Sequence, residues 1–273
     1  MNSKVLLENT RKIKPIVHHI TNYVTVNDCA NVTLAIGASP IMADSIEEVE
    51  EITSISNSLL INIGTINERL YKSMLKSGKK ANEKNIPVIL DPVGVGASSF
   101  RKKITLDILK NVKVSIIKGN ASEIAFIGNI SSKNQGVNSD PALDNQSLDT
   151  LIDIAKTTAN ITDCIIAMTG KTDIITDGKK TYLIKNGIEE LGLVTGTGSM
   201  TASIVSSLAA ANKTSLLEAA ALGVLIMGLS GEISLDSLRC RGLGEFRCEL
   251  INTIGNINYN IINNNKDVEY LNE

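Results

Sequence analysis

Aromatic residues are scarce in this sequence of 273 residues and basic residues are not in excess, and both facts exclude some classes of protein. It has no Trp, three Phe and five Tyr, so few side chains could stack on nucleic-acid bases. Lys and Arg together number 27 against 29 Asp and Glu, which leaves a formal net charge of −2 at pH 7. Because there is no basic excess to follow a phosphate backbone, we expect no nucleic-acid partner.

Long apolar runs and patterned cysteines are also missing. The longest apolar run, Ala219 to Leu229, is too short to cross a bilayer, so it predicts a buried core helix and no membrane partner. The N-terminal segment MNSKVLLENTRKIKP is charged throughout and lacks the apolar region of a signal peptide. The spacing of the four cysteines matches neither a zinc site nor a disulfide framework. We therefore expect a cytoplasmic protein.

Short runs rich in Ile and Val alternate with longer amphipathic stretches along the chain. Candidate strands cover residues 15–20, 39–42, 59–64, 87–92, 114–119 and 164–170. Candidate helices between them cover residues 45–56, 66–84, 100–110, 121–128 and 146–160. This alternation predicts an α/β fold, in which helices cover both faces of a mostly parallel sheet.

The pattern changes after residue 172. The segment DIITDGKKTYLI has two β-branched runs around Asp177-Gly178, which predicts an antiparallel hairpin at the edge of the sheet. The C-terminal part predicts mostly helix, over residues 198–211, 215–231 and 236–254. Residues 129–146 are polar and rich in turn formers, which predicts a loop. Because no linker or internal repeat divides the chain, we expect one domain over residues 1–273.

Chemically active residues follow several predicted strands or begin a helix. They occur in ILDPVGVGAS, IIKGNASE, AMTGKTD and VTGTGSM. Ligands of open α/β sheets bind outside the carboxyl ends of the strands, so we expect these residues on one rim. The rim residues are Asp91, Lys118, Asn120, Glu123, Thr169, Gly196, Thr197, Gly198 and Ser199.

The VTGTGSM segment predicts either an anion site or a simple helix cap. Helix N-termini expose unpaired N–H groups that bind anions, and glycines allow the backbone to approach closely. A Gly-Thr-Gly-Ser turn that only caps a helix fits the motif equally well. No lysine follows the glycines, so this is not a Walker A loop, and its context excludes a dinucleotide fingerprint.

Asp91 and Glu123 are the best candidate metal ligands, since Mg²⁺ takes one or two carboxylates together with phosphates and waters. The alternatives are an aspartate in a turn and a glutamate that favours a helix start. Lys118 is either a phosphate partner or an ordinary charge at a strand end. His18 and His19 are adjacent on a strand and point to opposite faces, so at least one is expected in the core.

Taken together, several segments resemble the hydroxyethylthiazole kinase family, a branch of the ribokinase-like fold used in thiamin salvage. They are VHHITNYVTVNDCANVTLAIGASPIMADSIEEVEEI, ILDPVGVGAS, IIKGNASEI and VTGTGSM, in the family's order across residues 15–200. The resemblance implies a three-layer α/β/α fold and transfer of the ATP γ-phosphate to the alcohol of 4-methyl-5-(2-hydroxyethyl)thiazole. It also implies Mg²⁺ and a homotrimer with active sites between subunits.

The resemblance also implies residue roles by position. The thiazole pocket would be lined by Asn22, Val24, Met42, Gly64 and Gly196. ATP would contact Lys118, Asn120 and Thr169, and Mg²⁺ would be served by Asp91 and Glu123. The catalytic anion hole would be formed by Gly196, Thr197, Gly198 and Ser199.

Two positions depart from the family pattern, which has arginine at Lys118 and cysteine at Ser199, or aspartate there in the wider ribokinase-like group. Lysine lacks the planar fork of arginine, and serine is a poor base. Phosphoryl transfer is largely dissociative, so positioning and charge stabilisation dominate, and we expect a working kinase. The alternatives are a thiazole- or nucleotide-binding pseudoenzyme and a related kinase that takes another vitamin-related alcohol or a pyrimidine.

Overall fold

The computed structural model describes residues 1–131, 146–237 and 242–272, and the strands within these ranges form one mixed sheet. The strands are β1 (Ile16–Ile20), β2 (Ser39–Met42), β3 (Ser58–Asn62), β4 (Val88–Asp91), β5 (Ile116–Asn120), β6 (Ile165–Thr169), β7 (Asp173–Thr176), β8 (Lys180–Ile184) and β9 (Val268–Asn272). Their spatial order is β2-β1-β3-β4-β5-β6-β7-β8-β9. Strands β1 to β6 pair in parallel. The last three strands join β6 in antiparallel pairs.

Helices cover both faces of this sheet. They are α1 (Ser3–Ile13), α2 (Val26–Ile36), α3 (Val49–Ile55), α4 (Glu68–Glu83), α5 (Ser99–Asn111), α6 (Ala121–Ser131), α7 (Leu148–Thr162), α8 (Thr197–Ala211), α9 (Leu216–Asp236), α10 (Leu243–Asn256) and α11 (Tyr259–Asn265). Successive strand residues point to opposite faces, so Leu59 and Ile61 pack with α3 to α7, whereas Leu60 packs with α1, α2 and α8 to α11. The predicted three-layer α/β/α architecture is confirmed.

Helices α8 and α9 have the longest buried stretches, and they pack closely because small residues line their contact. Nearly all of α8 from Ser199 to Ala210 is buried. A Cβ added at Gly223 of α9 would lie 2.7 Å from Val205 Cγ2 and 2.9 Å from Val205 Cα. Real side chains do not approach a backbone this closely, so the separation of the two helices requires glycine at that position.

Helix α9 contains the apolar run that the sequence predicts as a core helix. By length and composition alone it could cross a membrane, but 78% of its most apolar window is buried inside the protein. Its buried residues belong to the cluster that includes α8 and one face of the sheet. The core-helix prediction is therefore confirmed by the packing.

Each predicted strand overlaps an observed one, and the predicted hairpin forms. Strands β7 and β8 are antiparallel, with Ile174 opposite Leu183. The hairpin is not the outermost element, because β9 pairs with β8 and places Tyr270 opposite Tyr182. The two rings lie 5.0 Å apart between centroids. The sequence interpretation missed this strand, along with helices α1, α2 and α11.

Two boundaries in the C-terminal and middle segments differ from the predictions. The predicted helix 236–254 is wrong at its start, since α9 continues to Asp236 and α10 begins at Leu243. Residues 238–241 lie outside the described ranges. The predicted loop 129–146 begins inside α6, which ends at Ser131, and residues 132–145 also lie outside the described ranges.

The adjacent histidines of β1 point to opposite faces, as predicted, and both are buried, where the sequence predicted a core position for at least one. His18 contacts Thr53 Oγ1 at 2.9 Å and the Ala43 carbonyl at 2.8 Å. His19 contacts Thr33 Oγ1 of α2 at 3.3 Å on the other side. Burial lowers the pKa of His19 to about 3, so it stays neutral. Neither histidine ring belongs to the row of polar side chains at the carboxyl ends of the strands.

Replacing Gly223 by alanine should reduce the free energy of unfolding by ~1–3 kcal/mol, because the new methyl group overpacks the contact with Val205. The matched control is Gly244→Ala in α10, where a Cβ meets nothing within 4 Å. That change should be neutral or stabilising by up to ~1 kcal/mol through helix propensity. Urea unfolding monitored by circular dichroism measures both, and equal effects would contradict the packing argument.

Candidate active site

The carboxyl ends of neighbouring parallel strands place polar side chains along one edge of the sheet. Asn62 ends β3 and pairs in register with Asp91, which ends β4. Asn120 ends β5 and pairs with Thr169, which ends β6. This is the edge at which ligands of open α/β sheets bind. One member of the row, Asn62, was not among the residues predicted from the sequence.

Helix α8 begins at this edge, beside Lys118. Gly196 precedes the helix with a left-handed φ of 97°, and a side chain there would collide with Thr25. Lys118 of β5 is buried, and a Cβ added at Gly198 would lie 3.0 Å from its Nζ. The first N–H groups of a helix, here from Thr197 onward, have no acceptor within the helix. Together with the ammonium group they form a place where a phosphate can bind.

Ser199 lies in the first turn of α8 and accepts hydrogen bonds from two asparagines. Its Oγ receives the Nδ2 groups of Asn22 at 3.2 Å and of Asn62 at 2.9 Å. A serine hydroxyl has two lone pairs and one proton. With both lone pairs occupied, Ser199 can offer its proton as a donor but has no free lone pair with which to act as a base.

Asp91 is the most buried acid of the rim, with 1% of its surface exposed. Its Oδ2 accepts from Asn62 Nδ2 at 2.6 Å, whereas Oδ1 is buried without a hydrogen-bond partner in the described structure. The pKa of Asp91 is raised to about 7, chiefly by burial; Lys118 opposes the shift, the charge of Glu123 adds to it, and the hydrogen bonds of Asn62 and Ser199 oppose it. An unpartnered carboxylate oxygen beside a phosphate site can take a cation or a proton.

Glu123 has a structural role at the start of α6. Its Oε2 accepts from Asn120 N at 2.9 Å, while Asn120 Oδ1 accepts from Glu123 N at 2.9 Å, which is a reciprocal capping box. Its Oε1 accepts from Gly94 N at 2.8 Å, in the loop after β4. The helix-start reading is thus correct, and each carboxylate oxygen keeps a further lone pair for a ligand.

The turn after β6 is held by Asp173, which the sequence interpretation missed. Asp173 Oδ1 accepts from Gly170 N at 2.9 Å, directly after Thr169. The Thr169 hydroxyl donates to the Gly119 carbonyl at 3.4 Å, which ties β6 to β5. Burial raises the pKa of Asp173 to about 7, although Lys118 acts in the opposite direction.

A third missed residue, Arg101 of α5, joins the loops that follow β3 and β4. Its guanidinium donates to the carbonyls of Ile63 at 2.9 Å and Gly64 at 2.7 Å. It also donates to the Val93 carbonyl at 2.5 Å. A planar fork with several N–H groups is well suited to bind carbonyls of two loops at once. Arg101 therefore fixes the spacing of the loops that follow β3 and β4.

The residues predicted to line a thiazole pocket separate into two groups. Asn22, Gly64 and Gly196 come together with Ser199. A Cβ added at Gly64 would lie 3.0 Å from Asn22 Cβ. Asn22 Oδ1 also accepts hydrogen bonds from the backbone N–H and the hydroxyl of Thr25, and Thr25 packs on Gly196. By contrast, Val24 and Met42 are 59% and 36% exposed. Within one chain they lie open to solvent at the mouth of the site.

Asn62 and Asp173 carry a sequence signal that was available. Each is a polar residue at the end or start of an apolar strand, in LLINIG and in TDIIT, as Asp91 is in VILD. The strand-end rule that selected Asp91 applies to them equally. Arg101 carries no such signal, because its partners are backbone carbonyls, which a sequence pattern does not display.

Comparisons with known proteins agree on one family. The model of the hydroxyethylthiazole kinase family matches residues 7–260 of this chain. A protein of Clostridium beijerinckii named hydroxyethylthiazole kinase is 50% identical over 257 residues, which cover 94% of this chain and 93% of that protein. These matches extend across the whole rim.

Solved structures give the same result. The hydroxyethylthiazole kinase protein of Pyrococcus horikoshii OT3 superposes with a TM-score of 0.89 at 33% identity, covering 98% of both chains. A pyridoxal kinase from Staphylococcus aureus in complex with ADP has a TM-score of 0.60 at 13% identity, covering 95% of this chain and 99% of that one, a likeness of fold alone.

Asp173→Asn should change the pH dependence of stability. The folded pKa of about 7 lies above the ordinary 3.8, so the carboxyl's stabilising contribution is full below that ordinary value and is lost as pH rises to 7. Asparagine keeps the acceptor for Gly170 N without the ionisation. The variant should therefore gain free energy of unfolding relative to the parent as pH rises between these values. Urea unfolding across this range tests it, and parallel curves would contradict it.

Proposed function

The chain belongs to the hydroxyethylthiazole kinase family, and we propose that the strand-end site carries the family's reaction. The enzyme phosphorylates the hydroxyl of hydroxyethylthiazole in thiamin salvage, with ATP as the co-substrate. The observation that supports the location is the meeting of Lys118, the start of α8 and Asp91 at one edge. A cation, free N–H groups and a carboxylate are the groups that phosphoryl transfer requires.

The phosphate side of the site comprises Lys118 and the first turn of α8. The N–H groups of Thr197, Gly198 and Ser199 point along the helix axis toward the anion, and the helix dipole adds partial positive charge. Lys118 Nζ approaches because Gly198 has no side chain. These groups stabilise the negative charge on the transferred phosphoryl oxygens. Further along the edge, Asn120 and Thr169 contact the nucleotide.

The acceptor side comprises Asn22, Gly64 and Gly196, which surround Ser199. A small apolar alcohol needs few polar groups for orientation, and the backbone of two glycines leaves room for its ring. The reacting hydroxyl lies against Ser199, whose own hydroxyl accepts from two asparagines and hydrogen-bonds to Asp91. In this arrangement Ser199 orients the hydroxyl or a phosphate oxygen rather than removing a proton.

Mg²⁺ fits the donors of this site. Asp91 Oδ1 is a buried carboxylate oxygen without a partner, and Glu123 has lone pairs beyond its backbone contacts. Clusters of three or more His, Cys, Asp or Glu are absent from the described residues, but Mg²⁺ commonly uses one or two carboxylates with waters and phosphates. Asp91 and Glu123 would hold the ion, which would neutralise phosphate charge when bound.

A homotrimer with active sites between subunits completes the proposal, for a cytoplasmic enzyme with one domain over residues 1–273. Four exposed apolar side chains support it: Tyr23 and Val24 directly after Asn22, Leu193 shortly before α8, and Met42 at the end of β2, with exposed fractions of 76%, 59%, 66% and 36%. Exposed apolar groups in such a group mark an interface. Light scattering in solution should give three times 29.2 kDa, and a monomeric mass would contradict it.

An ADP-release assay with a Ser199 series tests the reaction. The parent should release ADP only when the thiazole alcohol is present, whereas a pseudoenzyme would bind without release. Ser199→Ala should lower kcat modestly, since the hydroxyl is a donor and not a base. Ser199→Asp should raise kcat, because its carboxylate can accept from Asn22 and Asn62 and still take a proton; a positioned base contributes ~10²–10⁴-fold.

Ser207→Ala is the matched control, in the same helix, where the buried hydroxyl donates to the Ser203 carbonyl at 2.8 Å far from the rim. It should leave kcat unchanged. If Ser199→Asp lowers kcat while the folded fraction is normal, the added charge repels the phosphates and base strength does not limit the rate. A panel of other alcohols under the same conditions decides the acceptor, since a better substrate than the thiazole would favour the related-kinase alternative.

A further inference from the structure

Asn62 has a buried side-chain amide that uses every hydrogen-bonding position it has. Its Oδ1 accepts from Gly64 N at 2.8 Å and from Asn22 Nδ2 at 3.1 Å. Its Nδ2 donates to Asp91 Oδ2 at 2.6 Å and to Ser199 Oγ at 2.9 Å. An amide offers two donors and two lone pairs, so the group is fully satisfied. Only 1% of the residue is exposed.

The orientation of this amide follows from its partners. The Gly64 N–H can only donate, so it must face Oδ1. An ionised Asp91 carboxylate can only accept, so it must face Nδ2. Rotation of the amide by half a turn would place donor against donor and acceptor against acceptor. The two ends of the Asn62 side chain are therefore not interchangeable.

The four partners of Asn62 come from separate parts of the chain. Asn22 lies in the turn before α2, Gly64 follows β3, Asp91 ends β4 and Ser199 begins α8. The proposed function assigns the first two to the acceptor side and the last two to the metal and phosphate side. One planar group thus joins the two halves of the site. Because an amide is rigid, it also fixes the distance between them.

We propose that Asn62 is a positioning residue for phosphoryl transfer, a role that rests on the proposed function. It holds Oδ2 of Asp91, which leaves Oδ1 as the oxygen that faces a ligand. It also occupies a lone pair of Ser199 and so restricts the directions in which that hydroxyl can donate its proton, with Asp91 as one acceptor. Asn62 itself touches neither substrate nor phosphate.

Loss of Asn62 should affect the two sides of the site unequally. The turn that carries Asn22 is held independently, since Asn22 Oδ1 accepts from Thr25 N and Thr25 Oγ1 at 3.0 Å each. Asn22 also reaches Ser199 directly. By contrast, the close side-chain donor to Asp91 is Asn62 at 2.6 Å, and the second partner of Asp91, the Ser199 hydroxyl, is itself held by Asn62. The acceptor pocket should therefore survive a change at Asn62, while the position of Asp91 should not.

The test compares Asn62→Asp with Asn186→Asp. Asn62→Asp keeps the shape and the oxygen that binds Gly64 and Asn22, but it places an oxygen against Asp91 Oδ2. Asn186 is a matched asparagine remote from the site: it is buried, donates to Glu232 at 3.1 Å and accepts from Asp267 N at 2.6 Å. The same substitution there creates the same clash of carboxylates. Both variants should lose stability.

Only Asn62→Asp should lower kcat, by ~10–100-fold, because Asn62 holds the proposed metal ligand Asp91. The same variant should raise the Mg²⁺ concentration needed for the half-maximal rate. The dissociation constant of the thiazole alcohol, measured by calorimetry without nucleotide, should change far less than kcat. Asn186→Asp should keep kcat and the Mg²⁺ requirement of the parent.

Three results would overturn the proposal: an unchanged kcat in folded Asn62→Asp, a weakening of alcohol binding as large as the loss of kcat, or an equal kinetic effect in Asn186→Asp. If Asn62→Asp does not fold, Asn62→Ala gives the same readouts without adding charge. Parent enzyme that releases no ADP with the alcohol would instead reject the proposed function, so the two failures are distinguishable.

Discussion

The in-register pairing of Asn62 with Asp91 across β3 and β4 is the constraint on which the rest of the site depends. Paired residues of parallel strands point to the same face, so the amide and the carboxylate meet at hydrogen-bond distance. A carboxylate buried this deeply needs partners, because burial of an unsatisfied charge is strongly unfavourable. A slip of one residue in either strand would turn one side chain to the opposite face and leave Asp91 without the amide.

The charges around this pair explain why the site suits a phosphate and a cation together. Asp91, Glu123 and Asp173 all influence the same region, and Lys118 lowers the pKa of both buried aspartates. Burial is nevertheless the largest cause of the raised pKa of Asp91 and of Asp173. An ammonium group shared between acids is poorly matched to an additional trianionic or tetra-anionic nucleotide unless positive charge accompanies it. If these residues form the proposed site, they would suit ATP that arrives with a metal ion, which is how proteins commonly bind phosphates and Mg²⁺ together.

Much of the fold was predictable because its signals are local. Runs such as VILD and CIIAMTG are short, branched and bounded by turn residues, and they form buried parallel strands. Strand β9 was not predictable, because its pairing with β8 and the contact of Tyr270 with Tyr182 are tertiary effects. Helix α1 could have been predicted from the sequence, since Asn2 caps it and Leu6, Leu7 and Thr10 follow helical spacing. In the site, Asp91 and Ser199 were found from strand-end and helix-start rules, whereas the Arg101 fork depends on backbone atoms that sequence patterns do not display.

Helix α8 combines two features that are usually separate: its first turn faces the ligand edge, while the rest of its length is buried in the core. A helix fixed on nearly all sides cannot tilt or slide when a ligand arrives. The dipoles at its N-terminus are therefore preorganised, and little reorganisation energy is spent on aligning them as charge develops on the phosphoryl group. Any closure around substrate must come from loops or from a neighbouring subunit, and core substitutions along α8 would be felt directly in the geometry of the reaction.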